Sequence, residues 1–216
     1  MILSVFVIGI LMLGTLTATA NAQESSSTGV EHIGAVSGAN QQSILDIHNR
    51  ERTAVGVPAL VWSDSLAADA LGYLEKMVAE NQGKVWPTPP PDVKLIRHDP
   101  NIPSTQGENL AYYSRASSPD PPKAPSLERL VGGWVAEKSN IPPGFTGARY
   151  DLEPPIGHYT QMVWRDTTAV GCAAAIVRGM TIGTPGGEIP AVGSYLICRY
   201  TPPGNYENQL PYPGFP

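Results

Sequence analysis

The sequence predicts an α+β domain. Three stretches with apolar residues at helical spacing fill its first two-thirds, two short apolar runs with strand character come late, and proline-rich segments divide them. A chain of 216 residues suits one domain able to bury its own core, and 22 Pro with 22 Gly imply long ordered loops. The formal net charge of −5 and the lack of a basic run argue against nucleic acid or an anionic membrane surface as partner.

The chain opens with "MILSVFVIGILMLGTLTATANAQ", whose apolar run Ile2–Leu13 and Ala20-x-Ala22 pattern read as a signal peptide over residues 1–22. No Lys or Arg precedes that run, so an uncleaved anchor is the competing reading. After cleavage no stable membrane insertion is expected. Residues 23–39 are small and polar, and the expectation is a flexible leader, with the folded domain over 40–216.

The first helix is expected from the cap Asn40, with Ile44, Ile47 and His48 on one stripe and Gly56 and Pro58 as the stop. His48 on that stripe reads as a core residue. A second helix, "SDSLAADALGYLEKMV", carries Leu66, Ala70, Tyr73, Leu74 and Met77 on its apolar face. The third starts at the cap Ser126, with Leu127, Leu130, Val131 and Trp134 aligned; Glu137 continues that stripe, an unusual place for a carboxylate. "WPTPPPD" and "SSPDPPKAPS" are too proline-dense for regular structure and read as surface loops. "AVGCAAAIV" and "SYLICRY" read as a hairpin with a long Gly/Pro-rich connection.

Cys172 and Cys198 are the only cysteines, without metal-type spacing, and in an exported chain they are expected to form one disulfide. Closing that loop should contribute about 3–4 kcal/mol in the chain-entropy model.

"GHYTQMVWRDTT" with "VGCA", and "YLICRYTPPGNY" near the C-terminus, resemble the two signatures of the CAP superfamily of cysteine-rich secretory proteins, venom antigen 5 and group-one pathogenesis-related proteins. "HNRER", "LVWSDSLA", "GENLA" and "GGWVAEK" occur before them in matching order. The resemblance implies a three-layer α–β–α sandwich around a mainly antiparallel sheet, and a cleft holding His98, Glu108, Glu137 and His158. There the two imidazoles would bind Zn²⁺ or another divalent cation weakly, with Glu108 and Glu137 as orienting or water-mediated partners and no organic cofactor. The competing reading is a hydrogen-bonded network that merely ties the long loop to the helices.

Members of the family also bind sterols through a loop carrying aromatics around Pro-Gly-Phe. Here Pro143, Gly144 and Phe145 are kept, Lys138 and Asn140 replace two earlier aromatics, and Tyr150 lies further on. Sterol or fatty acid is thus the expected ligand of a secreted, extracellular binding protein, with an extracellular protein partner as a further expectation. A hydrolase is the first alternative, drawing on His98, Glu108, Glu137, His158 and Gln161. The usual serine beside the first histidine is replaced by Asp99, which could orient His98. The second alternative is a precursor whose tail, from Pro202 to Tyr212, is released as a signalling peptide.

Overall fold

The computed structural model describes residues 29–81, 96–116 and 123–215. The expected signal peptide and the "WPTPPPD" loop lie outside the described residues, as does most of the second proline-rich loop. Helices α1 (Gly38–Ala54), α2 (Asp64–Asn81), α3 (Leu127–Ala136) and α4 (Gly157–Met162) accompany strands β1 (Gly29–Ala35), β2 (Val61–Trp62), β3 (Gly107–Ala116), β4 (Ala169–Thr184) and β5 (Gly187–Thr201). A 3₁₀ turn, Glu137–Asn140, follows α3.

The sheet runs in the order β1-β4-β5-β3, antiparallel throughout, and the short β2 adds a parallel pairing to β4. The two faces carry separate cores. Ala70, Tyr73, Leu74, Met77 and Val78 of α2 pack on Leu110, Ala173, Ala175, Tyr195 and Ile197. On the other face Ile44 of α1, Leu130, Val131 and Trp134 of α3, and Tyr159 and Met162 of α4 cover Val170, Cys172, Leu196, Cys198 and Tyr200. This is the expected α–β–α sandwich. Strand alternation explains the division, because successive side chains leave a strand on opposite faces. The sheet and α2 approach closely at Gly171, where a Cβ would come within 2.3 Å of the Ser63 carbonyl oxygen.

Cys172 and Cys198 are directly paired across β4 and β5 and form the expected disulfide. The expected helical stripes are the buried faces except at Ile47 and Leu127, which are half-buried, and the predicted cap of α3 holds, with Ser126 Oγ accepting from Arg129 N. Four expectations need correction. Residues 29–35 of the supposed leader form an edge strand on β4, because Val30 and Ile33 pack against the α2-side core. The first helix starts at Gly38, two residues before Asn40. The hairpin has no long connection: β4 and β5 stay paired out to Thr184 and Gly187, so the glycines and prolines are absorbed into the ladder. Finally, "GENLAYYSRA" is a full strand and "GHYTQM" a short helix, neither expected from periodicity.

Candidate functional site

The four residues that the family resemblance brings together form two His/Glu pairs flanking the start of β3. His98 Nδ1 lies 2.8 Å from Glu108 Oε1, and the Asp99 amide donates to the same oxygen at 3.0 Å. His158 Nδ1 lies 2.5 Å from Glu137 Oε1, while Glu137 Oε2 accepts the backbone amides of His158 (2.9 Å) and Tyr159 (3.1 Å). Glu137 therefore satisfies the free amides in the first turn of α4, where a carboxylate also suits the positive end of the helix. That explains its burial on the α3 side.

The surroundings differ. The His98 side chain is 67 % exposed, whereas that of His158 is 29 % exposed and stacks on Trp134 with ring centroids 5.8 Å apart. Glu108 points to the α2 face of the sheet, where Arg199, its cross-strand partner, places Nη2 3.1 Å from Glu108 Oε2 and 2.7 Å from Asp99 Oδ2. Asp99 thus orients Arg199, not His98. Burial alone would raise the Asp99 carboxyl, but the Asn101 amide and the Arg199 guanidinium outweigh it and hold Asp99 below the usual carboxylate range.

One residue further along each strand the side chains turn to the other face. Asn109 Nδ2 donates to the His158 carbonyl (3.0 Å) and to Tyr200 Oη (3.1 Å), and Tyr200 lies 2.9 Å from His48 Nε2. His48 Nδ1 meets the Ile44 carbonyl at 2.8 Å, so Nδ1 carries the proton and Nε2 accepts from the tyrosine. Burial drives the His48 pKa down to about 4, and that of Tyr200 is pushed up, also by burial. Both stay neutral near pH 7. His48 is the core histidine its stripe predicted.

The remaining candidates have other employment. Gln161 is buried, donating to Thr167 Oγ1 at 3.1 Å and accepting from the Gly204 amide at 2.8 Å. A Cβ at residue 107 would fall 2.3 Å from Gln161 Oε1, so glycine leaves room for that amide. Phe145 is half-buried and meets the rings of Tyr150 (5.4 Å) and Phe215 (5.7 Å) edge-on. Tyr150 in turn packs on Trp164 and donates its hydroxyl to the Gln209 carbonyl. Pro143 and Gly144 form the turn leading into Phe145, whose amide donates to the Pro142 carbonyl. Lys138 lies over the Tyr159 ring and Asn140 donates to the Pro155 carbonyl.

Can the His/Glu pairs hold a cation? Each carboxylate receives Nδ1–H, which leaves a lone pair on Nε2, the tautomer a metal requires. The number of donors is the limit: among the described residues no three His, Cys, Asp or Glu are grouped to hold an ion. Each pair by itself offers one imidazole nitrogen beside a carboxylate, fewer donors than a closed metal site requires.

Sequence reasoning missed Arg52, Asn109 and Arg199. Arg52 is fully buried and donates to the carbonyls of Pro58, Met162, Trp164, Arg165 and Thr167. It follows Ile44 and His48 at four-residue spacing, so the same stripe argument that singled out Glu137 would have found it.

The family model for the cysteine-rich secretory protein family, CAP, matches residues 45–181. Pathogenesis-related protein 1A of Nicotiana tabacum is 33 % identical over 175 residues, covering 80 % of this chain and 81 % of the relative. Scoloptoxin SSD976 of Scolopendra dehaani is 30 % identical over 184 residues, covering 80 % and 73 %. The solved structure of BmVAL-1 superposes with a TM-score of 0.50 at 20 % identity, covering 83 % of this chain and 84 % of the other, and so shares the fold. Among the described residues no helix is long and apolar enough to cross a membrane. With both signatures, the sandwich and the disulfide in place, this chain belongs to the CAP family.

Proposed function

We propose that this chain is a secreted extracellular binding module for a sterol or fatty acid, taken up where the Pro143–Phe145 loop meets the C-terminal tail. The observation that carries this is an apolar surface at that junction. Tyr206 and Leu210 are 46 % and 38 % exposed, two of the four large exposed hydrophobics among the described residues. Tyr206 sits edge-on to Trp164, and the Asn208 amide donates to the Gly147 carbonyl, so tail and loop form one surface. Phe145, Tyr150, Tyr212 and Phe215 supply a ring cluster beneath it. Exposed apolar area of this kind is where a flat, water-insoluble ligand gains most. The family description as secretory and the disulfide support export.

The test is uptake of cholesterol and of palmitate by the protein from a secreting host, read by native mass spectrometry. Leu210→Glu, which changes an exposed side chain, and Phe145→Ala should each cut uptake roughly tenfold, the effect of losing about one buried apolar side chain. His98→Ala and His158→Ala should leave it intact. Wild-type protein that takes up neither lipid would overturn the reading.

A second reading rests on the Nδ1 contacts: His98 and His158 would hold a divalent cation through Nε2, where it would supply positive charge to an incoming anionic or carbonyl oxygen. Zinc titration followed by imidazole NMR signals tests it, and both His→Ala variants should weaken binding. Gln161, Glu108 and Glu137 are engaged in structural bonds, which favours binding over hydrolysis.

A further inference from the structure

On the α2 face, away from the aromatic loop, a cavity of about 250 Å³ lies between α2 and the segment leading into β3. Its lining includes Asp69, Gly72, Tyr73, Lys76, Gln106 and Arg199. Arg199 is 1 % exposed, and beyond the Nη2 contacts to Asp99 and Glu108 its Nε and Nη1 are buried without a hydrogen-bond partner among the described residues. Gln106 Oε1 is in the same condition, although its Nε2 donates to Asp69 Oδ2 at 2.6 Å. Two donors and one acceptor left buried at the wall of a cavity are costly unless something polar fills it.

Charge decides what that is. Asp69 and Asp99 on the lining oppose Lys76 and Arg199, and Glu108 behind Arg199 tips the balance negative. A free anion gains little from that balance, and a cation meets the open edge of a guanidinium. A neutral molecule carrying several hydroxyls answers both demands: its oxygens accept from Arg199 Nε and Nη1, and its O–H groups donate to Gln106 Oε1 and Asp69. Gly72 leaves bare helix surface on the lining for the C–H face of a sugar, beside the Tyr73 ring, which is packed in the core and covered by the Arg199 guanidinium. The volume lies at the small end for ligand cavities, which suits one ring.

We propose that this cavity binds a single sugar residue of a neutral glycan, with Arg199 as the buried donor and Gln106 as the acceptor. The site is independent of the lipid surface and can stand or fall without it. The experiment is a ¹⁵N NMR titration of the whole secreted protein with methyl glycosides of glucose, galactose, mannose and N-acetylglucosamine. Inorganic phosphate and acetate are titrated in parallel. At least one glycoside should shift the Gly72 and Gln106 amides saturably, in the millimolar range. Gln106→Leu should weaken that binding about tenfold, the effect of one lost hydrogen bond, while leaving the melting temperature near wild type. Lys76→Ser, on the exposed side of the lining, should fold normally and lower affinity less. The proposal is overturned if no glycoside moves those amides, if Gln106→Leu binds as wild type does, or if phosphate or acetate shifts them at lower concentration than any glycoside.

Discussion

Two polar networks stand back to back on neighbouring residues of the same two strands. Asn109 and Tyr200 join His48 in a neutral network on one face; Glu108 and Arg199 join Asp99 in a charged one on the other. In the neutral network each partner satisfies the next, from the Ile44 carbonyl through to the His158 carbonyl. In the charged network two guanidinium nitrogens remain unmatched, beside a cavity. Complete satisfaction marks a group that holds the fold together, and surplus hydrogen-bonding capacity at a cavity marks a place for something from outside.

The largest expected effect comes from breaking the charged side. Glu108→Ala strips a carboxylate from a buried arginine and should cost about 3–5 kcal/mol in urea unfolding, the range for an ion pair broken inside a protein. Glu108→Gln, which keeps the shape, should cost less. Should Glu108→Ala be neutral, the arginine is paired well enough by Asp99 alone.

The neutral side should fail first in acid. His48 titrates near pH 4 in the fold and near 6.5 when unfolded, so between those values the unfolded chain binds the extra proton. Its contribution is complete above about pH 6.5 and drains away as the pH falls to about 4, a loss of roughly 3 kcal/mol. Asp99 works lower: its depressed pKa stabilises the fold above the ordinary carboxylate range and is lost as the pH falls through that range and below it. Urea midpoints measured from pH 7 to pH 3 should show the earlier loss, and His48→Gln should flatten it. An unchanged profile in His48→Gln would remove His48 as the acid-sensitive group.

Tyr200→Phe is the smallest of the three changes. It removes the hydroxyl shared by His48 and Asn109 and should cost about 1–2 kcal/mol by the same unfolding measurement, with the charged face and its cavity unaltered.

Helical periodicity made α1, α2 and α3 legible, and alternation placed Cys172 and Cys198 on one face of the sheet. β3 was hidden because its inward positions include Glu108 and its neighbour Asn109, polar groups that only partners remote in sequence make acceptable. β1 was hidden by small residues that need the flank of β4 to become a strand. The His/Glu quartet came from family resemblance, not from spacing, since its members lie on separate elements. Resemblance also gave no indication that Asp99 would serve Arg199, because that depends on which face of β5 the arginine takes. The candidate lipid loop was read from Pro143, Gly144 and Phe145, with Tyr150 further on. Its partners Tyr206, Tyr212 and Phe215 sit in the tail otherwise read as a releasable peptide, and the tail's contacts with the 147–150 segment make it part of the fold.

Helix α4 is six residues long, too short to hold itself together in water. Glu137 grips its leading amides and Arg52, from more than a hundred positions earlier in the chain, takes carbonyls at its far end. Such a helix has to wait for α1 and α3 to dock, which makes it a late step on the route to the native state. Changes at its two clamps are therefore expected to hasten unfolding more than they slow refolding.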